Sequence, residues 1–183
     1  IQHACEDILL SPPLYRRVMG ARYDNLPNSV RHLHDIFREG SAEGEASVGG
    51  PDNFLGGIVA RLMGFPPPGN HQVHVRFCER DGLETWTRTF GRHSFSSRLS
   101  QSGTRLVEQF GALRFCFDLP SDSTGLRMEM RGWSVLGVPM PLVLAPRSPA
   151  REYDEAGRFH FDVPISLPLV GRIVHYRGWL RPA

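Results

Sequence analysis

The chain has 183 residues, 40% of them hydrophobic and 10% aromatic, enough for one domain with a substantial core, which argues against a disordered or fibrous polymer. All 21 basic residues are arginine; set against 19 acidic ones they give a net charge of +2. They run from Arg16 to Arg181 without a dense block, so binding along a nucleic-acid backbone is not expected. No apolar run approaches the roughly 18 to 20 residues that span a bilayer, so no membrane span is expected.

The opening residues, IQHACEDILL, lack the charged, apolar and small-residue order of an export signal, and a cytoplasmic protein is expected. There is no initiator methionine, which leaves open an upstream segment or a larger polypeptide. Cys5, Cys78 and Cys116 are far apart and in no CxxC spacing, which suits reduced thiols rather than a disulfide framework or a thiolate metal site.

In chain order, SPPLYRRVMGARY (11–23) predicts a helix with Ser11 as N-cap, prolines in the first turn, and Leu14, Val18 and Met19 on one stripe. NLPNSVRHLHDIF (25–37) repeats the design, with Asn25 ahead of Pro27 and Val30, Leu33 and Phe37 on one face. SAEGEASVGG (41–50) is small and polar and reads as a short strand or a loop. PDNFLGGIVARLMGFPPPG (51–69) predicts a third helix, stopped by Gly64 and a proline run.

From Val73 the period changes to two. VHVRFCE, ETWTRTF, SFSSRLS, TRLVEQF, ALRFCFDL, LRMEMRGWSVL, PLVLA, REYD, RFHFDVPI and GRIVHYRGWL are strand-like, and Asp81-Gly82, Gln101–Gly103, Ser121–Gly125 and Glu155–Gly157 punctuate them as turns. No helix-length segment intervenes, so antiparallel pairing follows. The expectation is a single α+β domain over 1–183, with a helical part at about 11–65 and a β-meander at about 72–181. A meander this long must roll up, either as a nearly closed barrel or as a curved sheet gripping a helix, and either form tends to enclose a cavity.

ETWTRTF poses the sharpest question. Alternation groups Glu84, Trp86, Arg88 and Phe90 on one face and the threonines on the other, so an arginine points inward between aromatics. In TRLVEQF the same rule groups Glu108 with Leu106 and Phe110. An isolated buried charge is costly, so Arg88 and Glu108 are candidates for a pair. Either the pair ties strands together, or local bulges turn both side chains outward, or Arg88 faces a cavity and orients a ligand carboxylate or phosphate.

Taken together, LYRRVMG, YDNLPNSVRHLHD, ETWTRTF, LVEQFGALRFCFDL, WSVLGVPMPLVLAP and RFHFDVPISLPLVGRIVHYRGWL resemble an uncharacterised bacterial domain family, found alone or C-terminal to saccharopine-dehydrogenase-like reductases. The resemblance covers nearly the whole chain and implies an association with a nucleotide-dependent reductase; it assigns no catalytic residue. No GxGxxG fingerprint follows a strand here, and no cofactor is expected.

His32 and His34 lie two apart on a helix and His71 and His74 need opposite strand faces, so neither pair shares a metal, and no metal site is expected. His175, Arg177 and Trp179 share one face of the last strand and Val174, Tyr176 and Leu180 the other. His175, Tyr176, His160 and Glu152 are possible acids or bases without a nucleophile set by spacing, and no GxSxG elbow is present. Cys116 alternates outward between Phe115 and Phe117.

The candidate ligand-binding residues are therefore Arg88, Glu108, Trp86, Tyr176, His175 and Trp133, in a pocket for a small, mostly apolar molecule serving a reductase partner. A cofactor-independent isomerase, cyclase or hydrolase, and an interaction or assembly domain with an exposed apolar patch, are the alternatives.

Overall fold

Residues 11–183 are described by the computed structural model, so Cys5 and the start of the chain lie outside the described residues. Helix α1, Leu14–Met19, buries Leu14, Tyr15, Val18 and Met19, the stripe its spacing dictates. Ser11 is not its cap: Pro13 holds that position without a side-chain bond, and the Leu14 amide donates instead to Glu84 Oε1 at 3.3 Å. A 3-10 turn, Gly20–Asn25, leads into α2, Asn28–His34, whose N-cap position falls on Pro27. Because α2 ends at His34, Phe37 leaves the stripe and is exposed, while Ile36 turns inward.

The ambiguous small-residue segment is an 11-residue strand, β1, Glu39–Gly49. Helix α3, Phe54–Leu62, follows, with the Asn53 side chain accepting from the Gly56 amide at 2.9 Å and Gly64 beyond its end at φ +72°. After it come β2 Gly69–Arg80, β3 Leu83–Phe90, β4 His93–Ser102, β5 Arg105–Phe110 and β6 Leu113–Asp118. Then come β7 Ser121–Asp122, β8 Gly125–Arg127, β9 Glu129–Val135, β10 Val138–Met140, β11 Arg151–Glu155, β12 Arg158–Leu167 and β13 Gly171–Pro182.

Among the described residues thirteen strands form one antiparallel sheet in the order β10-β9-β6-β5-β4-β3-β2-β1-β13-β12-β11-β8-β7. The fold is thus mostly β, with few helices at the front. β1 joins two meanders by pairing with β2 on one side and β13 on the other. The sheet stays open, with β10 and β7 as its edges, yet it is strongly curved. Phe95 on β4 and Tyr176 on β13 stand four strands apart, which in a flat sheet is roughly 19 Å. Their ring centroids are 6.4 Å apart. Moreover, the continuous segment 125–135 pairs with β11 through β8 and with β6 through β9, so it stitches the two arms together.

The inward side chains of β1 and β13 explain where the bend falls. A Cβ on Gly44 would stand 1.9 Å from the Trp179 carbonyl oxygen, and one on Gly178 would stand 2.0 Å from that of Glu45. With Ala42 and Ala46 as their neighbours, these glycines let two backbones approach on the concave side. Within the curve, α1 packs on β4 and β5 and α2 on β11, β12 and β13. The core lies between these helices and the concave face.

Candidate functional site

A pocket of about 210 Å³ occupies the part of the concave face that α1 and α2 leave uncovered. Its walls are ring-rich because alternation on β3, β4, β5 and β12 brings Trp86, Phe90, Phe95, Phe110 and Phe161 to one side. Phe65, just after α3, packs edge-on to Phe95 at 5.5 Å and stacked on Phe110 at 6.1 Å, so the rings continue across the opening.

Arg88 lies inside this wall. Its guanidinium carbon sits 5.1 Å from the Trp86 ring centre and 5.8 Å from that of Phe95, within cation-π reach of both. Nη1 donates to Ser97 Oγ at 2.8 Å, and Nη2 is 3.6 Å from Glu108 Oε1. Both charged side chains are mostly covered, at 17% and 20% exposure. A charge-assisted bond is about 2.7–2.9 Å long, so Glu108 balances Arg88 without holding it bidentately.

Tyr176 enters the same pocket from β13, and burial pushes its phenol up to about 12, so near neutral pH it presents a neutral hydroxyl. Glu152 lines the far wall and accepts from His34: the His34 Nε2 to Glu152 Oε2 distance is 2.6 Å. Behind them, Tyr15 stacks on His34 with centroids 3.6 Å apart. Burial raises the Tyr15 phenol well above its usual value, with the Glu152 and Glu84 charges adding to the effect. Tyr15 Oη and His34 Nδ1 are buried without a hydrogen-bond partner among the described residues. Glu84, fully buried, accepts from Trp86 Nε1 at 3.0 Å, and burial raises its carboxyl above the ordinary range.

Of the six sequence candidates, the fold brings four together: Trp86, Arg88, Glu108 and Tyr176 all line the pocket. His175 and Trp133 do not. His175 alternates with Tyr176 and so faces the convex side, where Nε2 meets Asp162 Oδ1 at 2.6 Å. Trp133 pairs in register with Phe115 but lies toward the β10 edge, its indole donating to the Pro141 carbonyl at 3.0 Å. His160 stacks on Tyr153 and lies 3.5 Å from Glu155, away from the pocket wall.

Sequence reasoning missed His34, Tyr15 and Glu84. Their signals were present: His34 follows Val30 by one helical turn, and Glu84 shares the alternation of Trp86.

No group of three or more His, Cys, Asp or Glu side chains converges on a metal position among the described residues, and no helix there is long and apolar enough to cross a membrane.

An open, curved antiparallel sheet, plugged at one end by short helices and carrying a ring-lined pocket around one arginine, defines an α+β protein of the pocketed half-barrel kind. A family model described as a domain of unknown function (DUF4166) matches residues 26–180, and the chain belongs to that family. No curated protein sequence matches the chain.

Proposed function

We propose that the concave pocket binds a small, mostly apolar molecule bearing one carboxylate or similar anion, with Arg88 as its anchor. The observation that carries this reading is the position of Arg88, inside a ring-lined pocket with one hydrogen bond, to Ser97, and a charge partner at 3.6 Å. Five N–H donors belong to a guanidinium, so most remain to be met by a ligand. The volume is in keeping with it: an apolar cavity of about 150 Å³ already admits benzene, and this pocket is about 210 Å³. Tyr176 supplies a neutral hydroxyl to a second polar atom. In this reading the ligand is delivered to a reductase partner or neighbouring domain in a bacterial cytoplasm, as the resemblance noted from the sequence implies.

The test is a titration read by the Trp86-dependent part of the emission, defined with Trp86→Phe. Octanoate is expected to give a saturable change and 1-octanol one weaker by about tenfold, the worth of a charge-assisted hydrogen bond. Arg88→Met should abolish that difference. No saturable response to either probe refutes the reading.

A further inference from the structure

The pocket opens beside a surface that is apolar where a globular protein is ordinarily polar. α3 presents Phe54, Leu55, Ile58 and Leu62 to solvent on one stripe, with Phe54 and Leu62 each 81% exposed. Its opposite side is seated: Gly56 lies against the Arg172 carbonyl, and Val59 reaches the pocket wall. Next to the start of α3 is the turn between β12 and β13, because Asn53 Nδ2 donates to the Val170 carbonyl and Asp52 accepts from the Arg172 amide. That turn carries Leu169, fully exposed at φ +65°. A third piece, the 3-10 turn Leu142–Leu144, is also exposed; it is tied to the same end of β12 by the Arg147–Ser166 bridge. Pro146, Val59 and Leu167 from these three pieces all line the pocket, so the apolar crown surrounds its mouth.

Charge distinguishes the possible occupants. Residues 53–69, 130–150 and 163–181 contain no Asp or Glu, although the whole chain has 19, and they include Arg61 and Arg147, while Arg172 pairs with Asp52 just ahead of the first stretch. Apolar side chains projecting singly from a short helix and two turns, flanked by Arg61 and Arg147 and with the Asp52 carboxylate at their edge taken up by Arg172 at 2.9 Å, suit the headgroup layer of an anionic bilayer.

We propose that this crown docks on an anionic lipid surface, so that the pocket exchanges its ligand with the membrane. The inference rests on the binding role proposed above for the pocket, but the docking itself does not depend on Arg88. Docking brings the mouth against the acyl boundary, and an apolar molecule with a charged head passes between bilayer and pocket without crossing water.

Cosedimentation of the chain with vesicles of phosphatidylcholine, alone or mixed equally with phosphatidylglycerol, tests it. The wild-type chain is expected to pellet with the mixed vesicles and less with phosphatidylcholine alone. Phe54→Ser combined with Leu62→Ser should lower partitioning by about tenfold or more. Arg61→Gln with Arg147→Gln should remove only the preference for the anionic vesicles, about fivefold per arginine. Arg88→Ala should pellet as the wild type does, which separates failure of docking from failure of ligand binding. A chain that stays in the supernatant with both vesicles overturns the proposal. So does a dimer that ignores vesicles and is dissolved by the Phe54 and Leu62 changes, since a second copy would then cover the crown.

Discussion

Arg88 Nη2 stands 3.6 Å from Glu108 Oε1, across β4 from it, while Nη1 of the same group bonds Ser97 at 2.8 Å. The carboxylate is close enough to offset the cation and too far to saturate its donors.

Changing the two partners separately should therefore give opposite results on binding. Glu108→Gln removes a negative charge facing the ligand anion and is expected to tighten octanoate several-fold, with stability lowered by about 1 kcal/mol. Arg88→Ala leaves Glu108 partly covered and unbalanced and strips the packing on Trp86 and Phe95, so it should lower stability by about 1–3 kcal/mol and abolish octanoate binding. Calorimetric titration with urea unfolding reads both. Equal loss of binding in the two variants would make the pair purely structural.

His34 and Glu152 form the more deeply buried pair, with His34 wholly covered. His34→Ala leaves a carboxylate in an apolar wall without a donor, and a loss of about 3–5 kcal/mol is expected by urea unfolding, reduced in His34→Gln. A loss under about 1 kcal/mol would mean that Glu152 finds water instead.

Glu84 gives a pH signature of defined sign. Burial raises its carboxyl above its ordinary value, so the folded state holds this proton more tightly than the unfolded chain. Stability from this group is therefore present at low pH and falls as pH rises from about 4.5 through the raised folded value. Asp118, held below its ordinary value by the Arg131 hydrogen bond, acts in the opposite direction, losing its contribution as pH falls below the usual carboxylate range. Glu84→Gln should flatten the decline above about pH 4.5 in a series of urea melts. An unchanged slope would contradict the assignment.

These residues also mark how far the sequence could be read. Arg88, Glu108, Trp86 and Tyr176 were legible because a strand's period is two and each sits among rings of its own parity. The same parity rule separates His175 from Tyr176, so placing both in one pocket asked one strand to face two ways. β1 was only half legible, as a strand or a loop, because its inward positions before Val48 are Ala42, Gly44 and Ala46, chosen by close backbone approach in the bend and not by apolar bulk. His32 and His34, two apart on a helix, exclude a shared metal, but that test says nothing of His34 alone, which its helical spacing from Val30 already points inward.

The close approach can itself be tested. Gly178→Ala puts a methyl 2.0 Å from the Glu45 carbonyl oxygen, so β1 and β13 must separate or the bend must relax. Loss of soluble protein, or destabilisation above about 3 kcal/mol, is expected by thermal melting. Gly132→Ala, where a Cβ meets nothing within 4 Å, is the control and should change little.

Native mass spectrometry of the purified chain, set against its denatured mass, tests the pocket's role most directly. A mass excess that is lost on denaturation and absent in Arg88→Ala is the expected result, and its value identifies the ligand. No excess in the wild type, even after incubation with octanoate, would contradict a ligand-binding role and leave Arg88 a structural cation.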